Sequence, residues 1–358
     1  MLRRYSKLAM LVVGVAALGT PLGWAARPSQ RPADARVDAA IRKGTAWLVR
    51  TQASDGSWGH YPAITALAAT ALMRAGYTER NPNVARSLAF IVRHAKPNGA
   101  IYDRDLPNYN TAICLMALHR ARNPRYATII KKAQAFLARS QFDEGEGITR
   151  SDPKYGGFGY GQSENPDLSN MQHALEALRE TGYPSKERVW RNALVFLQRC
   201  QNRSESNDQA WAGNDGGFIY STAPESKAGG TRSYGSMTYA GLKSMIFCGL
   251  TKRDPRVSAA YNWLRSHYSV TENPGMGSQG LYYYYHTMAK ALSVYGNRIL
   301  TDTAGRRHDW AADLTHRLVA LQHPEGYWVN RTARWWEDNK ELVTAYTLLA
   351  LETCTGRA

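Results

Sequence analysis

The stretch LYYYYHTMAKAL, residues 281–292, sets four tyrosines directly before a histidine. An unperturbed imidazole titrates near neutrality. His286 is therefore the expected acid or base of any catalytic set, with Tyr285 and Tyr234 as phenol partners. Similar groups recur along the chain: Tyr61, then Asn108, Tyr109 and Asn110, then Asn170, then Arg232, Ser236 and Tyr239, then Tyr282 and Tyr283. A last loop adds Trp335, Trp336, Glu337 and Asp338. An aromatic, dry pocket would favour an isoprenoid or other lipid. A tyrosine–histidine–arginine set suits proton abstraction from an acidic sugar, and adjacent tryptophans beside carboxylates suit a sugar platform. The paired carboxylates of a glycoside hydrolase are not recognisable. Cys114, Cys200, Cys248 and Cys354 show no CxxC or other metal-like spacing, so neither a metal nor another cofactor is expected. They read as buried thiols rather than as a disulfide framework.

A repeat supplies the elements that must position these residues. KGTAWLVRTQASDGSWG, residues 43–59, reads as the end of a helix with Trp47, Leu48 and Gln52, then a turn with Gly56 and Trp58. Helix ends at Gln141, Gln201 and Gln322 are followed by GGFGY, NDGGFIY and EGYW, and weaker copies lie around Phe90 and Trp263. A second helix follows each turn. Aligned on Leu72, Leu118, Leu178, Met245, Leu292 and Leu351, these helices carry Thr65, Thr111, Met171, Thr238, Tyr285 and Thr344 seven positions earlier. Glycine or asparagine near their ends fits the left-handed residue that closes a helix. The first helix of each pair is amphipathic and the second is apolar nearly all round, so the second should be covered on both faces. Six pairs suit a closed double ring with the apolar helices inside. An open solenoid fits the same repeat but needs polar caps. In the ring, the starts of the inner helices bring the candidate residues to one mouth.

The remaining features bound the setting. Residues 1–25 read as a signal peptide: Arg3, Arg4 and Lys7, an apolar run from Leu8 to Gly19, then Gly-Trp-Ala. A linker over 26–35 and one domain over 36–358 follow. Export to the periplasm or medium is the expectation, with an uncleaved membrane anchor as the alternative. A net charge of +16 favours anionic partners such as lipid headgroups, a membrane surface or acidic glycans. No nucleic-acid motif appears.

The spacing of Gly44, Trp47, Leu48, Gln52, Gly56 and Trp58 resembles the QW motif of the prenyltransferase/squalene-oxidase repeat. The likeness runs over roughly residues 36–352, and the chain is similar to the C-terminal toroid of squalene–hopene cyclases and to protein prenyltransferase β subunits. The resemblance implies an all-α (α/α)6 toroid with a central cavity. It implies structural roles, tying neighbouring repeats, for Gln52, Trp58, Gln141, Phe158, Gln201, Phe218, Gln322 and Trp328. It further implies a small-molecule ligand, a lipid or alternatively a glycan, or a non-catalytic scaffold. The family's chemical signatures are missing. There is no DxDD or DDxxD stretch, leaving Asp215, Glu337, Asp338 and Glu341 as lone acids. Tyr285-His286-Thr287 matches the zinc-histidine stretch of prenyltransferases, but Ser236 and Thr238 replace the two anionic ligands. The Gly-Cys-Gly-Glu-Gln stretch of complement-like thioester domains is also absent.

Overall fold

The structure, a computed structural model, describes residues 32–161 and 165–357, with side chains from residue 35. The leader expected over 1–25 lies outside the described residues. The first helix starts at Pro32, inside the stretch read as a linker.

Two rings of helices alternate along the chain. The outer helices are α1 (Pro32–Thr51), α3 (Pro82–Arg93), α5 (Ala127–Arg139), α7 (Arg188–Arg199), α9 (Pro255–Ser266) and α11 (Trp310–Ala320). The inner helices are α2 (Pro62–Arg74), α4 (Pro107–Arg120), α6 (Leu168–Glu180), α8 (Gly235–Phe247), α10 (Leu281–Tyr295) and α12 (Lys340–Cys354). Each inner helix packs on the next, and α12 packs back on α2, which closes the toroid. Burial follows composition. Every residue of α12 from Leu342 to Cys354 is buried, whereas α5 buries only Ala133 and Leu137. Prolines open α2, α3, α4 and α9, where a missing N–H costs no helical hydrogen bond. Asp167 and Asn339 cap α6 and α12 through their side chains.

The recurrent glutamines bridge the repeats. The Nε2 of Gln52 donates to Gly56 O in its own turn and to Asn83 O at the start of the next outer helix, at 2.9 and 2.8 Å. Gln141 reaches Val189 O, Gln201 reaches Arg256 O, and Gln322 reaches Ala40 O across the closing seam. Close backbone packing accompanies each bridge. A Cβ on Gly156 would lie 1.9 Å from Asn192 O, and one on Gly326 would lie 2.6 Å from Lys43 O. The recurrent threonines also have a cause. Thr65, Thr111, Thr238 and Thr344 each accept a backbone N–H from the preceding turn, from Trp58, Ile101, Phe218 and Trp328. The α3–α4 pair lacks the glutamine, and so does the α9–α10 pair. There a short antiparallel hairpin, β1 (Ile299–Thr301) and β2 (Arg307–Asp309), precedes α11, and Arg265 donates to Thr301 O instead.

All four cysteines are free thiols; Cys114, Cys200 and Cys354 are buried and Cys248 is half-buried. No helix of the described residues is long and apolar enough to cross a membrane.

Candidate functional site at the mouth of the toroid

The starts of the inner helices surround a cavity of about 240 Å³. Tyr109 of α4, Ser169 of α6, Ser236 and Met237 of α8, Tyr283 of α10 and Tyr346 of α12 form its wall and floor. Tyr160 and Tyr220 enter from the turns before α6 and α8, and Tyr234 stands at the N-cap of α8. The phenols are tied together: Tyr109 and Tyr346 share a hydroxyl contact of 3.0 Å, and Tyr283 bonds Ser169 at 2.9 Å and Gln172 at 2.6 Å. Burial raises the Tyr234 and Tyr346 phenols well above their usual range, so they stay neutral.

Trp335 and Trp336 form the rim. They are the exposed large apolar residues of the described chain, at 43% and 53%. Both hold positive φ, 59° and 62°, a region that costs bulky residues energy. The loop behind them turns Glu337 inward, to 1% exposure. Its Oε1 accepts the N–H groups of Tyr282 and Tyr283, at 2.9 and 2.8 Å, and its Oε2 accepts Asn330 Nδ2 at 2.6 Å. Glu337 thus caps α10 from another helix's loop. Burial pushes its carboxyl up to about 7, against the pull of those hydrogen bonds.

Seven expected site residues line this cavity: Tyr109, Tyr234, Ser236, Tyr283, Trp335, Trp336 and Glu337. The others do not, and each has a local reason. Tyr285 points away from the axis and donates to Val270 O at 2.8 Å, with Arg317 behind it. Tyr282 packs edge-on against Tyr285. Tyr284, next to it, packs on Tyr239 of α8, which keeps Tyr239 between helices. The four consecutive tyrosines therefore diverge around the helix, and only Tyr283 reaches the cavity. His286 lies below the floor, stacked on Tyr346 at 5.4 Å. Burial, partly offset by Glu176, pushes its imidazole down to about 3. A neutral, weakly basic ring outside the cavity corrects the expectation of an acid near neutrality.

The polar rim is also mostly structural. Asn110 accepts from Ala63 N and donates to Tyr61 Oη, while Tyr61 donates to Asp105 and sits edge-on to Trp336. Asn108 donates to Gly159 O, and Asn170 bonds the capping Asp167. Arg232 folds back onto Ala228 O, and Asp338 is exposed away from the cavity. Tyr160, Tyr220 and Tyr346 were not anticipated. The first two had a visible signal, since each ends a Gly-Gly-Phe turn two residues past the phenylalanine. Tyr346 had none, being one apolar-looking position inside α12.

The family model for the squalene-hopene cyclase C-terminal domain matches residues 61–212. A variant of the type II terpene cyclase MstE from Scytonema, in complex with geranylgeranyl dihydroxybenzoate, superposes with TM-score 0.58 at 13% identity, covering 91% of this chain and 99% of that one. The chain is a terpenoid cyclase/prenyltransferase-like all-α toroid. The same architecture serves other chemistries. A D-mannose isomerase gives TM-score 0.59 at 11% identity over 93% of this chain and 100% of its own. A polysaccharide lyase gives 0.55 at 11% identity over 90% and 97%. At these identities the likeness is one of fold. No curated protein matches the sequence.

Proposed function

We propose that the protein binds an isoprenoid or other lipid-like ligand in the mouth cavity, in an exported compartment after loss of residues 1–25. One observation carries the reading: eight of the sixteen described lining residues are tyrosine or tryptophan, against two charged side chains, Lys227 and Glu337. Ring surface of this kind takes apolar area out of water. The volume, about 240 Å³, lies just below the ~300–1,000 Å³ usual for ligand sites. It suits one end of a prenyl chain, with the rest passing Trp335 and Trp336. The relative MstE, crystallised with a geranylgeranyl compound, supports the same ligand class.

Tryptophan fluorescence tests this directly. Titrating farnesol should quench Trp335 and Trp336, and Tyr283→Ala should weaken the response. Native mass spectrometry of protein from its own cells should release a lipid. A protein that ignores farnesol and carries oligosaccharide would replace this reading with a glycan site, which the exposed pair of rim tryptophans favours.

A further inference from the structure

The mouth cavity has features that a neutral hydrocarbon does not require. Its floor is built of electron-rich rings, Tyr109, Tyr283 and Tyr346, with Trp335 above. Among its described lining residues Glu337 is the sole carboxyl group, fixed at the start of α10 by two backbone N–H groups and Asn330. Those bonds offset its burial only in part, since burial still pushes the carboxyl up to about 7. A cation in the cavity would complete the compensation. Aromatic faces carry negative charge density and attract a desolvated cation. The wall already does this once: Lys227 places its Nζ 4.2 Å from the centroid of the Tyr220 ring while pairing with Glu225. Arg334 covers the Trp335 ring at 4.3 Å in the same way.

The hydrogen bonding selects the kind of cation. A primary ammonium needs three acceptors once it leaves water. Here the Tyr109 and Tyr346 hydroxyls share one hydrogen bond and the Tyr283 hydroxyl bonds Ser169 and Gln172, so on this floor a primary ammonium would have to share oxygens already in use. A quaternary ammonium presents only C–H groups and asks for no acceptor. It is also compact, as the volume of about 240 Å³ requires.

We propose that the mouth cavity is an aromatic cage for a quaternary ammonium group, with Glu337 as its counter-ion. The inference deepens the lipid reading and rests on the same cavity: the ligand is a cationic amphiphile whose head enters between the rings.

Isothermal titration of the full chain with choline and with 3,3-dimethylbutan-1-ol, its neutral isostere, tests the proposal. Choline should bind at least about tenfold more tightly, the size of a desolvated cation–π contact. Tyr283→Phe, which keeps the ring, should keep the preference, and Tyr283→Leu should reduce it. Trp335→Ala, at an exposed position of the rim, should reduce it as well. Equal affinity for the two compounds, or no binding of choline, overturns the proposal. A parallel farnesol titration separates the two readings. Farnesol binding without a choline preference removes the ammonium cage and leaves the lipid cavity. A choline preference without farnesol binding removes the lipid reading alone.

Discussion

The two ends of the toroid axis are built from the same six inner helices and carry opposite solutions. At the mouth, rings enclose an open cavity with one buried carboxyl group. At the other end, the axis is filled with charge. Glu176 of α6 pairs with Lys243 of α8 and, at 3.1 Å, with Lys290 of α10, which also reaches Glu180. These three residues stand two positions before the aligned Leu178, Met245 and Leu292, so they meet at one height. Burial opposes ionisation of Glu176, but the two ammonium groups overcome it and hold the carboxyl well below its usual range. On the other side, Glu352 is buried with both oxygens unbonded, facing Arg74 and Arg120, and burial raises it well above the usual range. A ring of apolar helices leaves a hole along its axis. The contrast is that buried charged groups fill it at one end and an open aromatic cavity is left at the other.

The sharpest way to break this comparison is to remove one charge. Glu176→Leu strands the buried Lys243 and leaves Lys290 with Glu180 alone, and should cost about 3–5 kcal/mol in urea unfolding. Replacing Glu176, Lys243 and Lys290 together with apolar residues should recover most of it. Farnesol affinity of the folded Glu176→Leu variant should stay unchanged if the two ends are independent; a coupled loss would merge them into one site.

The bridges between repeats rank next. Gln201→Ala leaves the buried Gly216 and Arg256 carbonyls without their shared donor and should cost about 1–3 kcal/mol. His267→Ala, in a pair without a glutamine, should cost less, since its ring only bonds Trp263 O and Ser266 nearby.

Proton linkage then separates the ends by sign. Glu176, lowered on folding, contributes stability above the ordinary carboxyl value that is lost as pH falls through its folded pKa. Glu337, raised, favours the fold below its unfolded value of 4.5, and that contribution is lost as pH rises to about 7. Thermal melts from pH 4 to 8 should show a shallower slope in Glu337→Gln, the remainder coming from Asp167 and Glu352, which burial also raises, and an unchanged contribution of this sign in Glu176→Leu. The smallest effect on stability belongs to the rim: Trp335→Ala should change it by no more than about 0.5 kcal/mol while still weakening ligand binding.

The repeat made the scaffold readable. Helix ends at glutamine, turns with glycine and an aromatic, and a threonine seven residues before an aligned leucine all serve local or neighbour-to-neighbour contacts. Their spacing along the chain therefore mirrors their spacing in space. The mouth was readable only at that level. Tyr109, Tyr234 and Tyr283 were found because the starts of inner helices converge there, and Glu337 because it follows the paired tryptophans of the last loop. Tyr285 and His286 looked equally well placed and were not, because successive residues on a helix turn by about 100°, and the run could not show which phenol met the axis.

The amino-acid sequence by itself determined the six helix pairs and the helix ends at which polar and aromatic groups gather, since periodicity encodes helix faces and repeats encode their neighbours; the packing of α12 on α2 decided between a closed ring and an open solenoid. Only the tertiary structure decided that Glu337 caps a helix from a distant loop, that Tyr160, Tyr220 and Tyr346 join the cavity, and that His286 is sealed beneath it. Those outcomes depend on contacts between residues far apart in the chain, and burial, which sets their protonation, is a property of the closed ring.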